Sequence, residues 1–103
     1  MTQRSAFVLR VRPDKVDEYL EAHRNVWQDL LAALRDAGIR NYTIFRDGNH
    51  MFGYFESDDL KAAAAFMEAQ EVNARWQDAM AELLEARVAD AGPPSLEEIF
   101  RLD

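Results

Sequence analysis

Two kinds of hydrophobic periodicity divide the chain into alternating strands and helices. From Ala6 to Arg12 the apolar residues alternate, with Phe7, Leu9 and Val11 on one side, which is the pattern of a half-buried strand. From Asp14 to Ala37 apolar residues recur every three or four positions, which predicts a strongly amphipathic helix.

Turn-forming residues fix the boundaries of these first elements. Pro13 ends the first strand and can open the helix at its first position, and Gly38 is placed to close the helix. Two runs rich in β-branched and aromatic residues follow, at 39–45 and 51–55, with Asp47-Gly48 between them. Asp-Gly between two apolar runs predicts an antiparallel hairpin.

A second helical stretch occupies most of the C-terminal half. Ser57 is a suitable N-cap, and the pattern continues to about Arg87, with the polar run 68–73 as the place for a break. Residues 89–95, with their glycine and prolines, predict a loop, and Leu96 to Leu102 predicts a final short strand.

The resulting order is β-α-β-β-α-β within one domain, residues 1–103. It predicts a ferredoxin-like α+β fold, in which a four-stranded antiparallel sheet carries helices on one face. Apolar and aromatic side chains lie on both faces of the predicted hairpin, namely Tyr42, Ile44, Phe45, Phe52, Tyr54 and Phe55. Helices can cover only one face, so we expect a homodimer packed sheet to sheet.

Charge and composition exclude several classes of function. The net charge of −7 disfavours a nucleic-acid binder, which needs a basic face for phosphates, but is compatible with a neutral sugar ligand. No apolar run approaches the ~18 residues of a membrane span, and no signal peptide is recognisable. The chain has no cysteine, which rules out disulfides and thiolate metal sites and fits a cytoplasmic protein.

Tyr19 and His23 lie four residues apart on the apolar face of the first predicted helix. A buried titratable pair costs stability unless it is satisfied, which suggests a small polar site in an aromatic pocket. Taken alone, such a histidine is more often structural than catalytic. No metal-ligand spacing, nucleophile motif or cofactor motif accompanies it, so no metal or cofactor is expected.

Several short segments together resemble the L-rhamnose mutarotase family over nearly the full chain. They are Ala6-Phe7-Val8, Pro13-Asp14, Glu18-Tyr19, His23, Trp27, Gly38, Asn41-Tyr42-Thr43-Ile44-Phe45, Arg75-Trp76 and Leu96-Glu97-Glu98-Ile99-Phe100. The resemblance implies a dimeric α+β barrel that interconverts the α and β anomers of L-rhamnose. It places the general acid at His23 and substrate-binding residues at Tyr19, Tyr42 and Trp76.

One position departs from the family pattern. The best-known members have a second tryptophan directly after the first, where this chain has Gln77. Gln77 is therefore a candidate substrate-binding residue, and the departure concerns the preferred sugar rather than the reaction. Anomer exchange requires proton transfer, which an imidazole can perform near neutral pH.

Two other functions fit the same predicted fold. One is another enzyme on the dimeric α+β barrel, such as a cofactor-free or haem-dependent monooxygenase, in which His23 would be an axial haem ligand. The other is a non-catalytic ligand-binding dimer. A fold of this kind hosts many chemistries, so the fold by itself does not choose among them.

Overall fold

A three-stranded antiparallel sheet forms one layer of the molecule. The computed structural model describes residues 1–88 and 93–103. Its strands are β1 (Gln3–Arg10), β2 (Arg40–Asp47) and β3 (His50–Ser57), in the order β1-β3-β2. Both pairs are antiparallel, with Phe7 opposite Gly53 and Phe45 opposite Phe52. The predicted hairpin is confirmed, and Gly48 in its turn has a φ of +59°.

The predicted single helix from Asp14 to Ala37 is wrong, because the chain leaves the helix near its middle. A 3-10 turn (Pro13–Lys15) leads into α1 (Val16–Arg24), and α2 (Gln28–Asp36) follows three residues later. Asn25 ends α1, and its side-chain amide bonds back to Glu21. Asn25 and Val26 are weak helix formers. Val26 and Trp27, in the linker between α1 and α2, pack against apolar core residues, and this packing compensates for the lost helical turn.

The second helical stretch is also two helices, with the break inside the polar run that the sequence indicated. They are α3 (Leu60–Glu68) and α4 (Glu71–Ala81). The predicted N-cap at Ser57 is wrong: Asp59 caps α3 by accepting a hydrogen bond from the Ala62 amide, while Ser57 ends β3. The helix also stops before Arg87, because Leu84 turns back to form a β-bridge with Val11. None of the helices among the described residues is long and apolar enough to cross a membrane.

The core consists of two apolar clusters on the helix-facing side of the sheet. The first gathers buried residues of α1, β3 and α4 and of the segments that follow β1 and α4, namely Val11, Tyr19, Met51, Met80, Leu83 and Leu84. The second joins α2, α3 and α4 through Leu30, Ala33, Met67 and Val72. Trp76 packs against both clusters, so α4 spans the gap between them.

The predicted strand at Leu96–Leu102 is wrong, since the described tail residues form no strand. The tail lies against β1 only at its start, where the Leu96 amide donates to the Ala6 carbonyl at 2.7 Å and Glu98 pairs with Arg4. Beyond this point Ile99 is 89% exposed and has no strand to pair with. The predicted loop 89–95 lies mostly outside the described residues, and Pro93–Ser95 have no regular structure.

The second face of the sheet is apolar and uncovered. Val8, Phe52 and Phe45 form a row across β1, β3 and β2, and Phe45 is 66% exposed. The helix-facing row beside it holds Phe7 and Ile44, which are buried or half-buried. The α+β class and the apolar character of both sheet faces are therefore confirmed, whereas the described residues contain three strands instead of four.

Candidate active site

A cleft between the helices and the sheet brings together all five residues that the sequence analysis selected. Tyr19 and His23 come from α1, Tyr42 from β2, and Trp76 and Gln77 from α4. All five line one small chamber, which we call the inner chamber. Trp76 and Gln77 are neighbours on α4 and lie about 100° apart around the helix, yet both side chains reach the cleft.

The imidazole of His23 is held in one orientation. Its Nδ1 lies 2.8 Å from the main-chain carbonyl oxygen of Tyr19, and because a carbonyl only accepts, Nδ1 carries the proton. Nε2 of the neutral ring is therefore a free acceptor. The ring stacks on Tyr19 at 4.2 Å and meets the edge of Trp76 at 5.4 Å. These contacts fix the position of Nε2.

The pKa shifts of the three titratable groups favour different roles. Burial lowers the pKa of His23 below its ordinary 6.5, against a smaller opposite effect of the bond to the Tyr19 carbonyl. Burial raises the pKa of Tyr19 to about 12, and it also raises that of Tyr42, with a further contribution from the Tyr19 hydroxyl nearby. At neutral pH the cleft thus holds a neutral imidazole base and two phenols that stay protonated.

Several polar groups of the cleft have no hydrogen-bond partner among the described residues. They are the hydroxyls of Tyr19 and Tyr42, the indole N–H of Trp76 and the amide of Gln77. No fully enclosed side-chain nitrogen or oxygen among the described residues lacks a partner, so the unpaired groups of Tyr19, Trp76 and Gln77 are accessible to solvent. Free donors and acceptors that converge on a mostly apolar cleft are characteristic of a small-molecule site.

The lining of the cleft, as far as the structure describes it, carries no formal charge. It continues from the inner chamber past Tyr42 and Gln77 into two wider parts of about 410 and 180 Å³. No Asp, Glu, Lys or Arg is among the described residues that line any of the three parts. Within the described part of the chain, no cluster of three or more His, Asp or Glu side chains could hold a metal ion. These linings suit a neutral polar ligand, because a phosphate would need a cation and glycoside hydrolysis would need two carboxylates.

Comparisons with known proteins agree with this geometry. The model of the L-rhamnose mutarotase family matches residues 4–102. The chain belongs to this family. It is 34% identical to the L-rhamnose mutarotase of Oceanobacillus iheyensis over 98% of this chain and 99% of that protein. It is 36% identical to the L-rhamnose mutarotase of Pectobacterium carotovorum over 97% of this chain and 98% of that protein.

A solved structure shows that the likeness extends to the fold. The crystal structure of an L-rhamnose mutarotase from Formosa agariphila superposes with a TM-score of 0.76 at 30% identity, covering 98% of this chain and 99% of that chain. Mutarotases are isomerases that interconvert sugar anomers. Membership in the L-rhamnose mutarotase family therefore sets aside the monooxygenase alternative.

The structure adds residues that the sequence analysis did not select. Trp27, which carries part of the family resemblance but was not selected for the site, meets Trp76 edge to face at 5.1 Å and so supports the wall of the cleft. Asn73 is only 7% exposed and lines the two wider parts of the cleft. The sequence could have indicated Asn73 as a site residue, because it lies one helical turn before Gln77 on the same face of α4.

Proposed function

We propose that this cleft interconverts the α and β anomers of a neutral 6-deoxy sugar, L-rhamnose first, with His23 as the proton carrier. The observation that supports it best is the orientation of His23. Its Nδ1 is occupied by the Tyr19 carbonyl, so Nε2 is the free base, and the described residues around it are two protonated phenols and uncharged side chains. Anomer exchange needs a base and acid of this kind and no cofactor.

The reaction proceeds by opening and closing the sugar ring. Nε2 of His23 takes the proton of the anomeric hydroxyl while the bond between C1 and the ring oxygen breaks. The ring oxygen receives a proton from a tyrosine hydroxyl, and the imidazolium returns its proton to that tyrosine. The free aldehyde rotates about the C1–C2 bond, and the same steps in reverse close the ring on the other face.

The remaining cleft groups hold the sugar in place. The indole of Trp76 offers a flat surface for the C–H face of a pyranose, and it is braced by Trp27. The amide of Gln77 supplies donors and an acceptor for hydroxyl groups. The phenols of Tyr19 and Tyr42 are protonated at neutral pH, and burial raises their pKa further, so they donate hydrogen bonds and do not compete with His23 as bases.

Saturation-transfer NMR tests this function directly. The two anomeric protons of L-rhamnose give separate signals, and saturating one lowers the intensity of the other only as fast as the anomers exchange. We expect micromolar protein to raise the exchange rate well above that of the sugar alone. Binding of L-rhamnose without faster exchange would instead identify a non-catalytic ligand-binding protein.

We further propose that two copies pack through the uncovered sheet face to form a dimeric α+β barrel. Phe45, Phe52 and Val8 would expose a contiguous apolar row in a monomer. Burying aromatic side chains is worth about 1.5–3 kcal/mol each, which favours association of the two sheets. The cytoplasmic location stays a prediction of the sequence.

Light scattering at micromolar concentration tests the dimer. We expect about twice the chain mass of 11.8 kDa. Phe45→Asp should give a monomer, because it places a charge in the apolar row that would form the interface. Phe66→Asp is the matched control, since Phe66 is an exposed phenylalanine on α3 outside this face. A wild-type monomer would refute the assembly.

A further inference from the structure

The indole of Trp76, on which the sugar would pack, is supported by a ring outside the cleft. It meets Trp27 edge to face, with ring centroids 5.1 Å apart and an angle of 89° between the planes. Trp27 is half-buried at the start of α2 and is not among the described residues that line the three parts of the cleft. Trp27 therefore contacts the sugar-facing indole from outside the space that a ligand would fill.

Arg75, the residue before Trp76 on α4, holds Trp27 in turn. Its guanidinium carbon lies over the Trp27 ring, 5.5 Å from the centroid. Its Nη2 donates a hydrogen bond of 2.9 Å to the carboxylate of Asp29, in the first turn of α2. A planar guanidinium can stack on an aromatic ring and bind a carboxylate with its edge at the same time. Arg75 thus fixes Trp27 and the start of α2 against α4, the helix that carries Trp76.

The orientation of the Trp76 indole affects both partners of the proposed reaction. The indole offers the surface for the sugar, and its ring also meets that of His23 at 5.4 Å and an angle of 79°. A rotation of the indole would therefore shift the sugar relative to Nε2 of His23. Misplacing the reacting atoms by about 1 Å can slow a positioned reaction by about a hundredfold.

We propose that Arg75 is a positioning residue for anomer exchange, which orients the Trp76 indole through Trp27. Asp29 holds the guanidinium in the stacking geometry. Arg75 itself is not among the described residues that line the cleft, and its side chain is 53% exposed, so replacing it leaves the wall of the cleft intact. This inference rests on the proposed anomer exchange and assigns to it a residue on the outer surface.

A double-mutant cycle tests whether Arg75 acts through Trp27. Saturation transfer on L-rhamnose, over a range of sugar concentrations, compares wild-type protein, Arg75→Met, Trp27→Leu and the double variant. We expect Arg75→Met to lower the maximal exchange rate by about two- to fivefold, as for one exposed cation–π contact, and Trp27→Leu to lower it by about tenfold. The double variant should match Trp27→Leu, because Arg75 then has no ring to hold.

The matched control is another exposed arginine in an ion pair. Arg24 pairs with Glu21 at 2.8 Å on α1, and this pair involves no aromatic ring. Arg24→Met should keep the wild-type exchange rate. Thermal unfolding verifies that every variant is folded at the assay temperature, so that a lower rate is not a loss of folded protein.

The fluorescence of Trp76 reports its orientation without any sugar. The chain has two tryptophans, so Trp27→Phe and Trp27→Leu each leave Trp76 as the only one. Time-resolved anisotropy should show larger local motion of the indole in Trp27→Leu than in Trp27→Phe, which keeps a ring against it. Adding Arg75→Met to Trp27→Phe should increase this motion, and the exchange rate of Trp27→Phe should lie closer to that of wild type.

The outcomes separate this inference from the proposed function. If wild-type protein exchanges no L-rhamnose, the proposed function fails and Arg75 has no exchange to position. If exchange occurs, the inference alone is overturned by an Arg75→Met variant that keeps the wild-type rate. It is also overturned if Arg75→Met slows the Trp27→Leu variant as much as it slows wild type, or if the motion of Trp76 is the same in all variants.

Discussion

His23→Asn tests the central chemical step. The substitution removes Nε2, the only base that we place at the reacting atoms, and puts a short amide that cannot carry a proton in its place. A positioned acid–base group contributes about 10²–10⁴-fold to a rate, which corresponds to about 2.7–5.5 kcal/mol of activation free energy. We therefore expect the exchange rate above the protein-free background to fall by at least about a hundredfold.

The expected cost to folding is much smaller than the cost to the rate. His23 is half-buried and makes one hydrogen bond, to the Tyr19 carbonyl, with ring contacts to Tyr19 and Trp76. Losing one neutral hydrogen bond costs about 1 kcal/mol, and an aromatic pair adds about 0.5–1.5 kcal/mol. A stable domain tolerates this sum, since its unfolding free energy is about 5–15 kcal/mol.

The assay compares wild type, His23→Asn and His23→Ala by saturation transfer on L-rhamnose at equal protein concentration. Circular dichroism and thermal unfolding show whether each variant is folded at the assay temperature. The smaller Ala variant removes the polar group as well, so the two variants should lose the same activity. A folded variant that exchanges anomers within threefold of wild type would assign His23 a structural role and refute the proton-transfer argument.

Further predictions address other residues of the cleft and the sheet beneath it. Tyr42→Phe should raise the activation free energy of exchange by about 1–2 kcal/mol, because one hydroxyl bonded to the ligand is lost. Saturation transfer measures the resulting decrease in the exchange rate. The exchange rate should fall on acidification with a midpoint below pH 6.5, because burial lowers the pKa of His23 and only the neutral ring accepts a proton. The unfolding temperature should fall over the same pH range, because the unfolded chain takes up the His23 proton at a higher pH than the folded protein does. An unfolding temperature that stays constant over this range would contradict the prediction. Gly53→Ala should destabilise the fold by about 1–3 kcal/mol in thermal or urea unfolding, because a Cβ there would overlap the buried ring of Phe7. Gln77→Trp should shift the ratio of L-rhamnose to L-fucose exchange toward L-rhamnose, and an unchanged ratio would mean that position 77 does not read the sugar.

The selected site residues show which contacts in the site can be predicted from residue spacing alone. Tyr19 and His23 are four residues apart on one helix face, so the sequence could predict their contact before any fold was known. Tyr42 comes from β2 and Trp76 from α4, and the resemblance to the mutarotase family placed them in the site. No local rule joins them to His23, because their proximity depends on how the helices cover the sheet.

Two misplaced elements have a common physical cause. The long amphipathic pattern predicted one helix, but Asn25 and the apolar linker after it end α1 early, and this linker packs into the second core cluster. Similarly, Leu96–Leu102 has the composition of a strand, but its residues beyond Leu96 find no partner edge in this chain. In both places tertiary contacts decided against the local propensity.

Local patterns in the sequence predicted the helical and strand periodicities, the hairpin at Gly48, the apolar character of both sheet faces and the histidine–tyrosine pair. These depend on interactions over a few residues, which the order of side chains specifies directly. Tertiary packing, in contrast, brings Asn73 to the cleft, sets Gly53 beneath the ring of Phe7, and keeps Asp, Glu, Lys and Arg out of the described lining of the site. Each of these depends on contacts between residues far apart in the chain, and packing of the whole molecule sets those contacts.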